Sequence, residues 1–252
     1  MNVIIGKEDS GTHDQDAGVL VIGKNSYKLN PGQVLETGDM FFLGNSRFVS
    51  VPFRPQFAPM VAERGPQVIL PHDASVMISL SGITRGSRVI ESGIGSGMLS
   101  AFILWEIGSE GLLKSIDISS ENIEVARNNL RRFGLESTHE CIIGDIRSFD
   151  DNGKYDAIFL DIPDPWDAVQ SCSRLLKKGG TLVSYSPNFN QVEKTVISME
   201  ENNIFHHTTL ELTRRNLIVR KDATRPDSKG IGHTGFISVG YRYAKNDINL
   251  GQ

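Results

Sequence analysis

The stretch Glu91-Ser92-Gly93-Ile94-Gly95-Ser96-Gly97 joins an apolar strand to an apolar helix and is the clearest indication of the fold. Residues 88–91 predict the strand and residues 98–107 predict the helix. Glycines in such a loop let the backbone turn tightly and come close to a ligand. The stretch therefore predicts a ligand-binding loop between the first strand and the first helix of an α/β unit.

Strands and helices alternate from residue 67 onwards. Further strands are expected at 112–117, 140–143, 155–160 and 181–185. One helix is expected between Ser120, taken as its cap, and Gly134, a second is expected to stop at Gly179-Gly180, and a third covers 191–199. Residues 208–220 and 235–243 predict a long antiparallel hairpin. This order predicts an α/β fold whose parallel sheet is covered by helices on both faces.

The first 66 residues have a different character. Short apolar runs at 19–22 and 40–43 predict strands, and turn residues separate them. Four prolines at positions 52, 55, 59 and 66 then mark an irregular connection. We predict a small β-rich domain over 1–66 and an α/β domain over 67–252.

Composition excludes several classes of protein. Hydrophobic residues make up 39% and charged residues 22% of the 252 residues, as in ordinary globular proteins. Two cysteines are too few for a disulfide scaffold or a cysteine-rich zinc site, so no metal is expected. We find no secretory signal and no apolar run of the roughly 18 residues that would span a bilayer. We therefore expect a cytoplasmic protein.

Charge is unevenly distributed along the chain. The net charge is −4, but residues 205–252 carry 8 Lys and Arg against 4 Asp and Glu. A basic segment on an acidic body is typical of a surface that binds a polyanion, and it also occurs as ordinary solvated surface.

Three acidic residues, Glu91, Asp117 and Asp145, lie at or just after the ends of predicted strands. A dinucleotide loop needs a third glycine where Met98 stands, and Glu91 would repel a pyrophosphate. S-adenosylmethionine instead carries a sulfonium and an ammonium, which a carboxylate attracts. Asp117, 24 residues after Gly93, is placed to accept ribose hydroxyls, and Asp145 to accept an adenine amino group. The pattern favours S-adenosylmethionine.

The strand predicted at 155–160 continues into Leu160-Asp161-Ile162-Pro163-Asp164-Pro165-Trp166. Asp161 is expected at the edge of the sheet where open α/β folds bind ligands, although a helix-capping role would also place an Asp there. Tyr185 ends the next strand. Its ring could stack on an extruded base while Asp161 accepts a hydrogen bond from an exocyclic amine, or it could be an ordinary core residue.

With these motifs in place, the chain from about residue 67 to 243 resembles the tRNA (adenine-N1)-methyltransferases of the TrmI/Trm61 family. The resemblance rests on the glycine loop, the Asp161 stretch, and three further motifs: Leu70-Pro71-His72-Asp73-Ala74-Ser75, Tyr185-Ser186-Pro187-Asn188 with Gln191-Val192, and Gly232-His233-Thr234-Gly235-Phe236. The N-terminal β-rich part also looks like that of this family.

The resemblance implies a class I methyltransferase fold, S-adenosylmethionine as donor and adenine 58 in the tRNA T-loop as acceptor, with a homotetramer as the assembly. It implies Asp161 as the catalytic residue and a target-base pocket lined by Tyr185 and His233. Phosphate contacts are expected from basic residues of the C-terminal segment, and the cofactor-binding set comprises Glu91, Gly93, Gly95, Ser96, Gly97, Asp117 and Asp145. The candidates for phosphate contact are Arg214, Arg215, Arg220, Lys221 and Arg225. Leu70 stands where the family often has Tyr or His, which leaves the choice between neighbouring adenines open.

Three other functions would require different residues. A methyltransferase of protein carboxylates or small molecules would keep Gly93 and Asp117 without needing the basic segment. A tRNA-binding subunit without catalysis would not need an acid at position 161. A nicotinamide-dependent dehydrogenase is disfavoured by Glu91 and Met98.

Overall fold

The computed structural model describes residues 1–7, 9–14, 17–30, 32–63, 68–228, 230 and 232–245. The N-terminal part forms a six-stranded antiparallel sheet in the order β4-β3-β2-β1-β6-β5. Its strands are β1 (Asn2–Gly6), β2 (Ser10–Asp14), β3 (Val19–Ile22), β4 (Asn25–Lys28), β5 (Met40–Leu43) and β6 (Ser46–Pro52). The strands predicted at 19–22 and 40–43 are confirmed.

A second sheet of seven strands dominates the rest of the chain, in the order β12-β15-β11-β10-β7-β8-β9. It contains β7 (Arg88–Ser92), β8 (Leu112–Asp117), β9 (His139–Ile143), β10 (Tyr155–Leu160), β11 (Leu176–Ser186), β12 (Ile204–Glu211) and β15 (Phe236–Arg242). Strands β7 to β11 are parallel, and β15 is antiparallel to both β11 and β12. A separate small hairpin pairs β13 (Leu217–Ile218) with β14 (Arg225–Pro226).

The helices are α1 (Ala58–Val61), α2 (Pro71–Ser81), α3 (Met98–Ile107), α4 (Ser120–Phe133), α5 (Pro165–Leu175) and α6 (Phe189–Glu201). Short 3₁₀ turns cover Pro55–Phe57 and Gly108–Glu110. The α/β prediction is confirmed, and α3 has the predicted bounds. In α4, Ser119 is the cap rather than Ser120, because its hydroxyl accepts a hydrogen bond from the Asn122 amide at 3.2 Å. Gly134 ends that helix in the left-handed conformation, at φ 71°.

The expected helix stop at Gly179-Gly180 is wrong. Helix α5 already ends at Leu175, and both glycines lie within β11. Gly179 has a φ of 78°, and the register with β10 shifts where Leu176 pairs with Tyr155 but Thr181 pairs with Ala157. The glycines therefore allow a bulge in the strand.

The long hairpin is only partly as predicted. β12 pairs with β15 as far as Glu211, but the chain then leaves the sheet. Glu211 pairs with Phe236, the first residue of β15, so no residue of that strand is left to pair with Arg214 and Arg215. The segment instead folds back on itself as β13 and β14.

The N-terminal part packs against the large sheet domain through α4. The Phe53 and Phe133 rings stack at 4.7 Å, and Arg132 donates a hydrogen bond to the Val61 carbonyl at 2.9 Å. Val3 and Phe53 also belong to the same buried cluster as Val89 of β7. The predicted domain boundary between residues 66 and 67 lies outside the described residues. No helix in the described part of the chain is long and apolar enough to cross a membrane.

Candidate active site

A cavity of about 590 Å3 opens where β7, β8, β10 and β11 end. This is the edge at which open α/β sheets bind ligands. Six of the predicted site residues line it: Gly93, Gly95, Asp117, Asp145, Asp161 and Tyr185. The structure thus brings together the glycine loop, the acidic residues at or just after the ends of β8, β9 and β10, and the aromatic ring of Tyr185 in β11.

The glycine loop forms the floor of the cavity with its backbone. Gly93, Gly95 and Gly97 have φ values of 89°, 49° and 80°, a region that disfavours other residues. Gly97 caps α3, and a Cβ there would lie 3.2 Å from the Cβ of Ala126 in α4. Ser96 is buried, and its carbonyl accepts a hydrogen bond from Asn129 at 3.0 Å. Ser96 and Gly97 do not line the cavity, so they shape the loop from behind.

Asp117 holds the loop in register from the end of β8. One carboxylate oxygen accepts the amide of Ile94 at 3.0 Å, and the other accepts the amide of Ser119 at 2.8 Å. The Asn122 side-chain amide also donates to both oxygens, at the longer distances of 3.4 and 3.5 Å. Asp117 lines the cavity, and its contact with a ribose stays a prediction.

Asp145 is already paired within the protein. Arg147 Nε donates to its two carboxylate oxygens at 2.9 and 2.8 Å, and its amide donates to Oδ1 at 2.9 Å. The hydrogen bond from Arg147 lowers the pKa of Asp145. An adenine amino group would have to share this carboxylate with the Arg147 guanidinium, which also lines the cavity.

Glu91 does not line the cavity, contrary to the prediction of a direct cofactor contact. Its side chain is 1% exposed, and Oε2 accepts hydrogen bonds from Ser100 at 2.5 Å and Ser115 at 2.8 Å. Burial raises the pKa of this carboxyl to about 8, although the two serine hydroxyls oppose the shift. The residue joins α3 to β8 beneath the glycine loop. Glu91 comes just before the loop in the sequence. This position alone does not tell whether its side chain contacts a ligand or supports the loop.

Asp161 lines the cavity just after β10. Its amide continues the sheet by donating to the Ser92 carbonyl at 2.9 Å, and the chain then turns into the stiff Pro163-Asp164-Pro165 segment. Burial and, to a smaller extent, the negative charge of Asp117 raise the pKa of the Asp161 carboxyl to about 7. Such a shift of a carboxyl group in a cleft is typical of functional sites.

Tyr185 faces the cavity from β11, and its hydroxyl is held in place. It donates a hydrogen bond to Asp73 Oδ2 at 3.2 Å. Asp73 comes from the first turn of α2 and is fully buried. The ring position is therefore fixed at both ends, by the strand backbone and by a buried carboxylate.

His233 lies beside the cavity but does not line it. Its Nδ1 is 2.6 Å from Glu211 Oε1, and its Nε2 donates to the Pro187 carbonyl at 3.0 Å. The hydrogen bond to Glu211 raises the pKa of His233. Since both neighbours are acceptors, the ring is engaged within the protein, and the predicted base contact is not made from the cavity wall.

The other predicted contacts lie outside the cavity. The basic candidates Arg214, Arg215 and Arg225 are exposed around the β13–β14 hairpin. Leu70 is the N-cap residue of α2, and its neighbour Ile69 lines the cavity instead. The substitution of an aromatic residue by Leu70 therefore affects the vicinity of the cavity rather than its wall.

Sequence reasoning missed several lining residues, among them Ile118, Asn122, Arg147 and Gln191. Asn122 could have been found from its place in the first turn of the helix after Asp117. Arg147 follows Asp145 at a spacing that allows a local ion pair. Ile118 carried no signal, because an exposed apolar residue after a strand is common.

The cavity fits S-adenosylmethionine. Its size is that of a cofactor pocket, glycine backbone lines it, and the carboxyl groups of Asp117 and Asp161 face a cationic nucleoside, while Asp145 is shared with Arg147. The sheet order is the third feature: the antiparallel strand β15 lies next to the parallel strand β11. Fold and site together define a class I S-adenosylmethionine-dependent methyltransferase.

Comparison with known proteins identifies the family. Residues 53–235 match the family described as "tRNA methyltransferase complex GCD14 subunit", and the chain belongs to this family. A tRNA (adenine(57)-N(1)/adenine(58)-N(1))-methyltransferase TrmI from Methanocaldococcus jannaschii is 34% identical over 68% of this chain and 70% of its own. A tRNA (adenine(58)-N(1))-methyltransferase TrmI from Thermus thermophilus is 30% identical over 82% and 80%.

Solved structures support the fold. A SAM-dependent O-methyltransferase from Thermotoga maritima superimposes with a TM-score of 0.85, covering 98% of this chain and 94% of that one. The two sequences are 23% identical, so this likeness concerns the fold alone.

Proposed function

We propose that this protein transfers a methyl group from S-adenosylmethionine to N1 of an adenine in the tRNA T-loop, with adenine 58 as the position. The observation that carries the proposal is the Asp161 carboxyl, which lies in one cavity with the glycine loop and the Tyr185 ring. The family relationship and the names of both TrmI relatives support it.

The bound cofactor supplies an electrophilic methyl group. Adenine N1 has a lone pair and no proton to lose, so the protein needs no strong base. Its main task is to align the base, and orientation alone accounts for much of the acceleration in such reactions. Tyr185, held by Asp73, supplies a fixed aromatic face for this alignment.

Asp161 is placed to respond to the charge that develops on the adenine. Methylation at N1 makes the ring positive, and the exocyclic amino group becomes a stronger hydrogen-bond donor. A fixed carboxylate that accepts this hydrogen bond stabilises the transition state more than the ground state. Asp161 then takes up the N6 proton or passes it to solvent. With a pKa of about 7, it is poised to exchange a proton near neutral pH.

Capture of the RNA is assigned to the basic segment. Arg214, Arg215 and Arg225 follow the cavity end of β12 and are exposed, so their guanidinium groups can reach phosphates. Arg225 would keep or exchange its exposed hydrogen bond to the Pro226 carbonyl, at 3.3 Å. N1 lies on the pairing edge of adenine, which is inaccessible within a stacked helix. The base is therefore extruded into the cavity.

The assembly, the location and the domain division belong to the same proposal. We assign a homotetramer, cytoplasmic residence and a division near residue 66 between the β-rich part and the methyltransferase domain. The homotetramer follows from the resemblance to the TrmI/Trm61 family, and on this proposal light scattering should give four copies of this chain. A stoichiometric second polypeptide in the purified complex would contradict the homotetramer.

A methyltransferase of protein carboxylates or small molecules is the competing function. The O-methyltransferase from Thermotoga maritima shares the fold, but its likeness does not reach substrate choice. Incubation of the protein with labelled S-adenosylmethionine and unmodified tRNA should place label at adenine N1, as mapped by mass spectrometry. Label in bulk protein and none in tRNA would overturn the proposal.

A further inference from the structure

Three aromatic rings form a continuous row beside the mouth of the cavity. The His233 ring centre is 4.9 Å from that of Phe236, and Phe236 is 4.7 Å from Phe189. We call these three side chains the aromatic ridge. Phe236 is buried, whereas Phe189 at the other end of the row is 74% exposed. A phenyl ring in water that rests on a second phenyl ring presents one fixed apolar edge or face to a partner.

The ridge adjoins the proposed base pocket. Phe189 is the first residue of α6, between Pro187 and Gln191, which both line the cavity. His233 is tied to the same rim, since its Nε2 donates to the Pro187 carbonyl. The Asn188 side chain caps α6 by accepting the Gln191 amide at 3.0 Å, which fixes the backbone that carries Phe189.

Extrusion of the target adenine leaves the neighbouring bases without a stacking partner. The exposed face of such a base is apolar, and aromatic side chains commonly stack on it. The geometry points to a second nucleotide subsite on the aromatic ridge, in which Phe189 stacks on the base adjacent to the methylated adenine. This inference rests on the proposed tRNA substrate and names a contact outside the cavity.

Position distinguishes Phe189 from other exposed phenylalanines. Phe205 is 58% exposed on β12, but it pairs with Tyr241, which in turn pairs with Thr181, five residues along β11 from its cavity end at Ser186. Phe236, by contrast, pairs with Ser186 at the cavity end of that strand. Phe205 therefore serves as a matched control, with the same side chain and similar exposure at the opposite edge of the sheet.

The test compares RNA affinity among variants of the full-length protein, using an unmodified tRNA T-arm stem-loop. Phe189→Ala should raise the Kd for this RNA about tenfold, in the range known for base–aromatic stacking. Phe189→Trp should keep the affinity within about twofold of wild type, as should Phe205→Ala. The Kd for S-adenosylmethionine and the thermal midpoint should be unchanged in all three.

A double-mutant cycle then locates the contact. Two stem-loops are compared, one with an abasic nucleotide immediately 5′ of the target adenine and one with it immediately 3′. One of these two RNAs should bind Phe189→Ala and wild type equally well, because it lacks the base on which Phe189 stacks. A Phe189→Ala variant that binds the intact stem-loop as wild type does would overturn the inference, and so would a tenfold loss that persists with both abasic RNAs. Binding is read without turnover, so a wild-type protein that binds the RNA but does not methylate it contradicts the proposed function alone.

Discussion

A Cβ atom placed on Gly93 would lie 2.0 Å from the carbonyl oxygen of Asp161. The glycine loop and the chain just after β10 are thus in direct backbone contact, which is possible because Gly93 has no side chain. Gly95, two residues on, has open space where its Cβ would be. The two glycines therefore serve different purposes in the same loop.

Gly93→Ala should displace Asp161 and distort the loop. A shift of about 1 Å in a catalytic group can lower the rate about 100-fold, so we expect at least this loss in kcat/KM. Gly95→Ala is the control. It carries only the backbone cost of a left-handed alanine, about 1–2 kcal/mol, and should lose less activity. Equal activities of the two variants in a methyl-transfer assay would contradict the contact.

Activity should follow the protonation of Asp161. The carboxylate form accepts the hydrogen bond from adenine N6, so kcat/KM for the cofactor should rise with pH and level off above about 7, where this group ionises. Asp161→Asn should remove this rise in kcat/KM near pH 7 and leave a low kcat/KM that does not change with pH. Glu91 also titrates, near pH 8, so Glu91→Gln should keep the rise near pH 7. A flat wild-type profile between pH 6 and 8 would count against the role of Asp161.

Burial of Glu91 should make the fold less stable at alkaline pH. The folded pKa of about 8 lies above the ordinary value of 4.5, so the folded state holds a proton that the unfolded state releases. The free energy of unfolding should then fall as pH rises through this window. Glu91→Gln should show a shallower fall, measured by urea titration at pH 5 and pH 8. A variant with the wild-type slope would contradict the assignment.

The hydrogen bond between Tyr185 and Asp73 should contribute more to the free energy of unfolding than its length suggests. Tyr185→Phe leaves the fully buried Asp73 carboxylate without that donor, at a cost of about 1–3 kcal/mol in the free energy of unfolding. The phenyl ring is retained, so kcat should fall less than with Tyr185→Ala. Chemical denaturation and single-turnover kinetics measure the two effects separately, and an unchanged stability would refute the buried contact.

RNA binding should weaken with salt through the basic segment. If Arg214, Arg215 and Arg225 each neutralise one phosphate, each change to Ala should reduce the slope of log K against log salt by about 0.7–0.9. Affinity for S-adenosylmethionine should stay the same, since none of these residues lines the cavity. Salt slopes indistinguishable from wild type would remove the arginines from the interface.

Much of the fold was predictable because its signals are local. Strong apolar runs gave the bounds of β8 and β10 without error, and glycine ended α4 where expected. One error arose because glycine is found both at helix ends and in strand bulges. Gly179 lies in a strand bulge and not at a helix end, and only the pairing of β10 with β11 decides between them.

The site was predictable as a set of strand ends but not as a set of contacts. Asp117 and Asp161 emerge at the ligand edge because parallel strands share that edge. The inward orientation of Glu91 depends on Ser100 and Ser115, which come from two other elements. The hydrogen bonds of His233 to Glu211 and Pro187 join distant segments of the chain, so no local sequence pattern predicts them.

The most direct test combines product mapping with one substitution at position 161. Wild-type protein, S-adenosylmethionine and unmodified tRNA should yield N1-methyladenosine in the T-loop. Asp161→Ala should abolish that product while calorimetry shows cofactor affinity within a few-fold of wild type. Near-normal methylation by Asp161→Ala, or a methyl group on another atom in the wild-type reaction, would contradict the account.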